Sequence, residues 1–421
     1  MNFLKKYFKG DPNIWAIILG LSVFSLLAVY SSTGTLAYRW AGGNTAFYIM
    51  RHSGFLMVGL TLAFILHMFP CKYYVRISQW LMVIVIPLLV FTLLFGVDEN
   101  DATRRISIFG LTFQTSDLAK MTLIMYLAQR LASRQEEILD FKKTLLPMFI
   151  IIGLVCVLIL PANFSTAAML FVVCVMLLFV GRVSFRQLSG LCAITLVIGA
   201  VIVASLYGLH QAGMDNNITQ RGTTIVNRMT RFVKQNPEDK TLAANYQALQ
   251  AKIAVGTGGF LPKGPGNSIQ RNFLPHPYSD FIFAIIIEEY GILGGAIVLF
   301  LYLNLLYRTI LIVRKCEKTF PALLVLGLSL IVVFQALVNM AVAVGLMPVT
   351  GQPLPLISMG GTSMLFTGAA FGIILSVSRD VRRQEELQAR RAEKKQMEEN
   401  QDVEPIEQTL YEPNKNYNTI G

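Results

Sequence analysis

Long uncharged runs of Leu, Ile, Val, Phe and Met recur along the chain, and short polar turns rich in Lys and Arg separate them. An α-helix needs roughly 20 apolar residues to cross a bilayer. Runs near residues 14–30, 54–68, 80–95, 145–160, 164–180, 188–206, 280–306 and 322–344 reach or approach that length, and another ends near residue 377. A further, more polar span opens at Asp117. The pattern predicts an all-α polytopic membrane protein with about ten transmembrane helices. The ten-residue alternating segments of a β-barrel are absent.

Two interruptions stand out. A polar loop at 98–116 leads into the fourth span, and a large loop at 207–279 joins the seventh span to the eighth. The second carries Arg221, Arg228, Arg231 and Lys234 and holds a helix-compatible piece at 242–254. Loops this long inside a compact fold are usually functional or disordered. The chain thus divides into a short N-terminus (1–13), a membrane domain (14–377) and a charged tail (378–421), helical at first and then disordered.

Composition agrees. Of 421 residues 54% are hydrophobic and 14% charged, with mean hydropathy +0.55, against about 25% charged in soluble domains. Lys5, Lys6 and Lys9 precede the first run as in a signal peptide, but the run is too long and no small-residue cleavage site follows closely, so it reads as a retained span. The net charge of +11 would suit nucleic acid in a soluble protein. Here the cations flank spans, so topology explains them and no nucleic-acid partner is implied. Lys72, Arg76, Arg130, Arg134, Arg182, Arg186 and the cations of 308–318 fall on one side, with the N-terminus and tail. The opposite side carries fewer, among them Arg39, Arg51, Arg104 and Arg105. Basic loops stay in the cytoplasm, so both termini are expected there and the 207–279 loop faces out, which excludes a cytoplasmic nucleotide at that loop. Five cysteines show no CxxC pair and no disulfide framework.

Several residues carry candidate chemistry. Asp280 stands at the mouth of the eighth span, either as an N-cap or as a general base or ion ligand. Glu288 and Glu289 lie inside that span, where an acid needs a partner; Glu288 shares Asp280's face. Lys120 follows Asp117 by one turn; it pairs with Asp117 or Glu288, snorkels outward, or neutralises an incoming anion. The glycines 256, 258, 259, 264 and 266 fit neither a Rossmann nor a Walker loop. They form a linker, or allow close approach to a phosphate or another segment, and the flanking Lys263 and Arg271 suit an anion. The stretch 348–363, with Ser358, Gly360 and Gly361, is too broken for lipid-exposed helix and therefore lines a site. The four histidines show no metal spacing, and His67 reads as a satisfied span residue.

Taken in order, these motifs resemble the SEDS family of polytopic peptidoglycan glycosyltransferases. The carriers are Phe113 to Lys120 (FQTSDLAK), Asn163 to Ala167 (NFSTA), Gly256 to Gly259 (GTGG), Asp280 to Phe283 with Glu288 and Glu289, and the 348–363 loop. Gly264 to Gln270 (GPGNSIQ) is more similar to the cell-division branch than to the elongation branch. The resemblance implies ten spans in the bacterial cytoplasmic membrane, an extracytoplasmic catalytic loop and lipid II as substrate. It implies an essential aspartate at Asp280 and an acid-x-x-Lys element at Asp117 and Lys120. The partners implied are a single-span class B penicillin-binding transpeptidase and other division membrane proteins. The chain departs from the family where Arg105 replaces Trp, where His276-Pro277-Tyr278-Ser279 replaces Glu-Ala-His-Thr, and where Asn163 replaces Asp. The expected reaction is inverting transfer with Asp280 as base and an undecaprenyl diphosphate leaving group. Lys120 would neutralise that group, with Arg104, Lys263, Arg271 or a divalent cation (magnesium or manganese) as further sources of charge. Alternatives are an elongation-type polymerase, a lipid II flippase, and a scaffold acting through its tail.

Overall fold

A computed structural model describes residues 8–34, 44–99, 102–108, 111–138, 140–213, 226, 243–274 and 276–409. The helices are α1 (Pro12–Ser32), α2 (Thr45–Met68), α3 (Lys72–Phe95), α4 (Thr115–Ser133), α5 (Leu146–Ile159), α6 (Phe164–Val180), α7 (Phe185–Gln211), α8 (Ala243–Gly258), α9 (Ile282–Lys315), α10 (Thr319–Ala343) and α11 (Thr362–Thr409). A π-helical turn, Phe141–Leu145, runs into α5. Among the described residues eight helices are long and apolar enough to cross a membrane: α1, α2, α3, the turn-plus-α5 unit, α7, α9, α10 and α11. α6, at 17 residues, is an apolar helix just short of that length. α4 is a 19-residue helix made more polar by Asp117 and Lys120. The chain is a multi-pass membrane protein, and each of the ten predicted spans falls on one of these helices.

The helices overrun the predicted spans because capped ends carry them into polar sequence. Asp11 caps α1 by accepting from the Asn13 amide at 2.9 Å, with Pro12 in the first turn. Asn44 does the same for α2 through the Phe47 amide, which starts that helix nine residues before the apolar run at residue 54. α8 occupies the helix-compatible piece of the long loop. Residues 214–225 and 227–242 of that loop lie outside the described residues, as does the end of the tail from residue 410. The 98–116 stretch is not a plain loop. It forms an antiparallel sheet of β1 (Val97–Glu99), β2 (Ala102–Ile108) and β3 (Leu111–Gln114), with Ile106 opposite Phe113. Three short strands rich in β-branched residues had too little period to betray themselves.

α2 and α11 pack backbone to backbone. Gly59 and Ala63 on α2 face Gly368 and Gly372 on α11, and a Cβ on Gly368 would collide with the Gly59 carbonyl. Small residues four apart let membrane helices approach closely, where packing replaces the hydrophobic drive. The two ends of the bundle differ. At one, Arg308 Nε donates to Asp11 at 2.8 Å and Arg382 donates to the Gly10 carbonyl at 2.6 Å, so the start of α1, the end of α9 and the middle of α11 meet. There, too, Arg379 donates to the terminal α2 carbonyls of His67 and Met68, while Asp380 accepts from the Cys71 amide. Burial, reinforced by Asp380, pushes the Cys71 thiol up to about 12, and all five cysteines are free. At the other end sits Asp280, just before α9. The stretch from Gly291 to Arg308 alone spans roughly 25 Å of helix.

The α2–α11 contact leaves no room for a side chain. Gly368→Leu should lower the melting temperature of the detergent-purified protein, with an overpacking cost of about 1–3 kcal/mol or more. Gly54→Leu, at a position with open space, should leave it unchanged.

Candidate functional site

The segment between α10 and α11 crosses the site end as irregular backbone. Pro348, Pro353 and Pro355 remove amide donors, so carbonyls are in excess and must find partners inside the protein. They do so on the spans. Asn339 Nδ2 donates to the Gln352 carbonyl (2.7 Å), Gln335 Nε2 to Pro353 (2.9 Å), Tyr302 to Pro355, and Ser25 to Ile357 (2.9 Å). Leu356, between two of these anchors, holds φ at +65°, a strained value for a branched side chain that only a fixed surround maintains. Ser25 has one proton and gives it to Ile357, so His52 Nε2, 2.8 Å away, is the donor to Ser25 Oγ.

This anchored segment holds the Asp280 turn. Ser358 Oγ donates to the Ser279 carbonyl at 2.6 Å, and the Met359 amide to the Tyr278 carbonyl at 2.9 Å. Asn339 Nδ2 also donates to the Asp280 carbonyl at 2.8 Å. Asp280 does not cap α9; that position is Phe281, which makes no side-chain cap. The carboxylate instead accepts from Ser279 Oγ at 2.9 Å and is half-buried. His276 and Tyr278 bond to each other at 3.1 Å.

Lys120 lies beside the same segment. Its ammonium is buried, 2.7 Å from Asp117 Oδ1 and 2.9 Å from Gln335 Oε1. It neither snorkels nor reaches Glu288. A cleft between α4, α10, α11 and the segment, lined by Asp117, Lys120, Gln335, Pro355, Ser363 and Phe366 among others, opens next to it. Asp117 Oδ2 is buried with no hydrogen-bond partner.

Glu288 and Glu289 serve a different feature. α9 is broken at Gly291, where φ is +70° and a Cβ would stand 2.7 Å from the Phe260 carbonyl. The glycine-rich stretch fills the break: Ile292 N donates to Gly259 O at 3.0 Å, and Gly264 N to Glu289 O at 2.9 Å. A Cβ on Gly258 would collide with the Ile287 carbonyl. Close approach to another segment is therefore what these glycines provide. Glu288, fully enclosed, accepts from Ser268 Oγ, Ile269 N (3.1 Å) and Gln270 N (3.2 Å), with Lys263 at 3.7 Å. Glu289 accepts from Ser31 Oγ and Ser268 N, and Arg271 Nη1 donates to the Ser31 carbonyl at 3.0 Å. The two acids latch the loop to α9 and α1.

The family model described as a cell cycle protein of the FtsW, RodA and SpoVE type matches residues 12–383. This chain belongs to that family. A protein of Nitrosococcus halophilus, named as a probable peptidoglycan glycosyltransferase FtsW, is 31% identical over 346 residues, covering 81% of this chain and 85% of its own. The peptidoglycan glycosyltransferase MrdB of Escherichia coli is 29% identical over 384 residues, covering 87% and 93%. Among solved structures, the rod shape determining protein RodA of Thermus thermophilus shares the fold with TM-score 0.61 at 24% identity, over 88% of this chain and 97% of that one. A chain of a peptidoglycan synthase complex reaches TM-score 0.64, also at 24% identity, over 88% and 98%.

Within this family fold, the sequence-predicted residues separate into two groups. Asp280, Ser358, Lys120 and Asp117 meet around the 348–361 segment, and Gly360 and Gly361 lie in it; Gly361 has φ of +52°. Lys263, Arg271 and Glu288 belong to the latch. Arg104 lies in β2, and its side chain lies outside the described residues. Sequence reasoning missed Gln335, Asn339, Tyr302 and Ser25. The signal was present, since Gln335 and Asn339 interrupt an apolar span four residues apart and polar side chains in a span hydrogen-bond to something.

Glu288→Ala orphans the donors of Ser268, Ile269 and Gln270, at about 1–3 kcal/mol per group. The variant should be cut by trypsin at Lys263 and Arg271 much faster than wild type, while its helix content stays unchanged.

Proposed function

We propose that this protein is a peptidoglycan glycosyltransferase that polymerises lipid II on the outer face of the bacterial cytoplasmic membrane, acting in cell division. The observation that carries the reading is a half-exposed carboxylate, Asp280, on an anchored turn at one end of the family's fold. The orientation rests on charge: the Asp11–Arg308 end carries the basic turns, and the positive-inside rule places it, with both termini, in the cytoplasm. Asp280 then faces outward. Curated relatives named FtsW and MrdB both align along this chain; the GPGNSIQ stretch of 264–270 favours the division reading.

Asp280 takes the proton from the acceptor sugar hydroxyl. The oxygen attacks the anomeric carbon of the donor, and the bond to the lipid diphosphate breaks with inversion. Ser279 donates to the Asp280 carboxylate and fixes its orientation. Lys120, paired with Asp117, presents its ammonium in the cleft toward the departing diphosphate. A divalent cation, magnesium or manganese, would add charge at that diphosphate. Among the described residues no group of three His, Cys, Asp or Glu could hold one. The transpeptidase partner is part of the same proposal, supported by the likeness to a complex that coordinates polymerisation with crosslinking.

Purified protein should convert lipid II to glycan strands in detergent, where no sealed bilayer exists and flipping has no meaning. Asp280→Asn should cut that rate by about 10²–10⁴-fold, the usual contribution of a general base. An Asp280→Asn protein with wild-type rate overturns the assignment.

A further inference from the structure

We propose that Gln335 and Asn339 of α10 are positioning residues that set the geometry between Lys120 and Asp280; this rests on the polymerase reading above. The two amides lie four residues apart, about 6 Å along the helix on one face, and both are almost wholly buried, at 6% and 1% exposure. Each makes two contacts. Gln335 binds Lys120 Nζ with its oxygen and the Pro353 carbonyl with its nitrogen. Asn339 binds the Asp280 carbonyl and the Gln352 carbonyl through one nitrogen. Adjacent carbonyls of the broken segment thus rest on adjacent turns of α10, and each turn also grips one charged member of the candidate site.

The chemistry of the amides fits this role. An amide carries donors and acceptors at once, so one side chain can satisfy an ammonium and a carbonyl. A carboxylate would not donate, and a lysine would not accept. Asn339 cannot be reversed, because its nitrogen faces two carbonyls; its oxygen is left buried without a partner, a cost tolerated only where the nitrogen's two bonds matter more. Gln335 lines the cleft beside Lys120, and neither amide carries a proton. They act through Asp280 and Lys120, and a displacement of 1 Å at a reacting group is enough to cost about 10²-fold in rate.

The test uses full-length purified protein and lipid II, with initial rates measured across substrate concentration and melting temperature recorded for every variant. Asn339→Leu and Gln335→Met keep the branching and length of each side chain and delete the hydrogen bonds. Each should lower kcat by about 10–100-fold while KM stays within about twofold, in protein that still melts cooperatively. Combining Asn339→Leu with Asp280→Asn should lower the rate no further than Asp280→Asn alone, because a positioning residue has nothing left to position. A folded Asn339→Leu protein with wild-type kcat overturns the proposal, as does a loss confined to KM. If Asn339→Leu does not fold, Gln335→Met decides on the same criteria, and failure of both to fold overturns it by making the pair structural. Failure of the polymerase reading looks different: wild type would then make no glycan, or Asp280→Asn would match it.

Discussion

Irregular backbone at the depth of a membrane must find every hydrogen bond within the protein, and this structure depends on how the stretch from Gln352 to Ile357 does so. Three prolines in the 348–355 neighbourhood subtract donors and leave carbonyls exposed to a low-dielectric surround. The spans answer with side chains rather than with main chain: Ser25 from α1, Tyr302 from α9, Gln335 and Asn339 from α10. Because those side chains come from rigid helices, the segment is as fixed as the helices are. It passes that rigidity on to Asp280 through Ser358 and Met359. The Asp280 carboxylate is thereby placed on irregular backbone without the looseness of a surface loop.

The same logic recurs at the second break. Gly291 interrupts α9 and would leave amides and carbonyls unpaired in the first third of a long helix. The glycine-rich stretch after α8 comes close enough to pair with them only because Gly258 and Gly291 have no Cβ. Glu288 then gathers the amides of the loop's next turn. Burying two adjacent carboxylates is costly, and here each accepts several hydrogen bonds and sits beside one cation, Lys263 or Arg271. The latch and the Asp280 turn flank the same first turns of α9, so the loop's position and the acid's position share one scaffold.

How much of this was legible in the chain follows from periodicity. Apolar length located most of the membrane helices, since nothing but a helix satisfies a 20-residue backbone in hydrocarbon. The broken 348–363 stretch and the acids of α9 were visible as violations of that pattern. What stayed hidden were partners. Nothing local distinguishes Lys120 paired with Asp117 from Lys120 paired with Glu288; the choice is made by helix packing between distant parts of the chain. The cap reading of Asp280 failed for a related reason. A tertiary contact, Asn339 to the Asp280 carbonyl, moves the start of α9 to Ile282 and leaves the aspartate one residue too early. The β1–β3 sheet was missed because β2 carries two adjacent arginines in place of alternation, and β1 and β3 have only three and four residues.

Charge placement completes the account. The bundle keeps its buried ions in pairs: Asp117 with Lys120, Glu288 with Lys263, Asp11 with Arg308. At the other end, Asp280 combines partial exposure with an anchored backbone. The most direct measurement is an experimental structure of the protein with its lipid-linked saccharide bound. The account predicts a sugar hydroxyl within hydrogen-bond reach of the Asp280 carboxylate and a diphosphate on the Lys120 side of the 348–361 segment. Saccharide bound at the Asp11–Arg308 end, or at the Asp280 end with that carboxylate turned away from it, would contradict it.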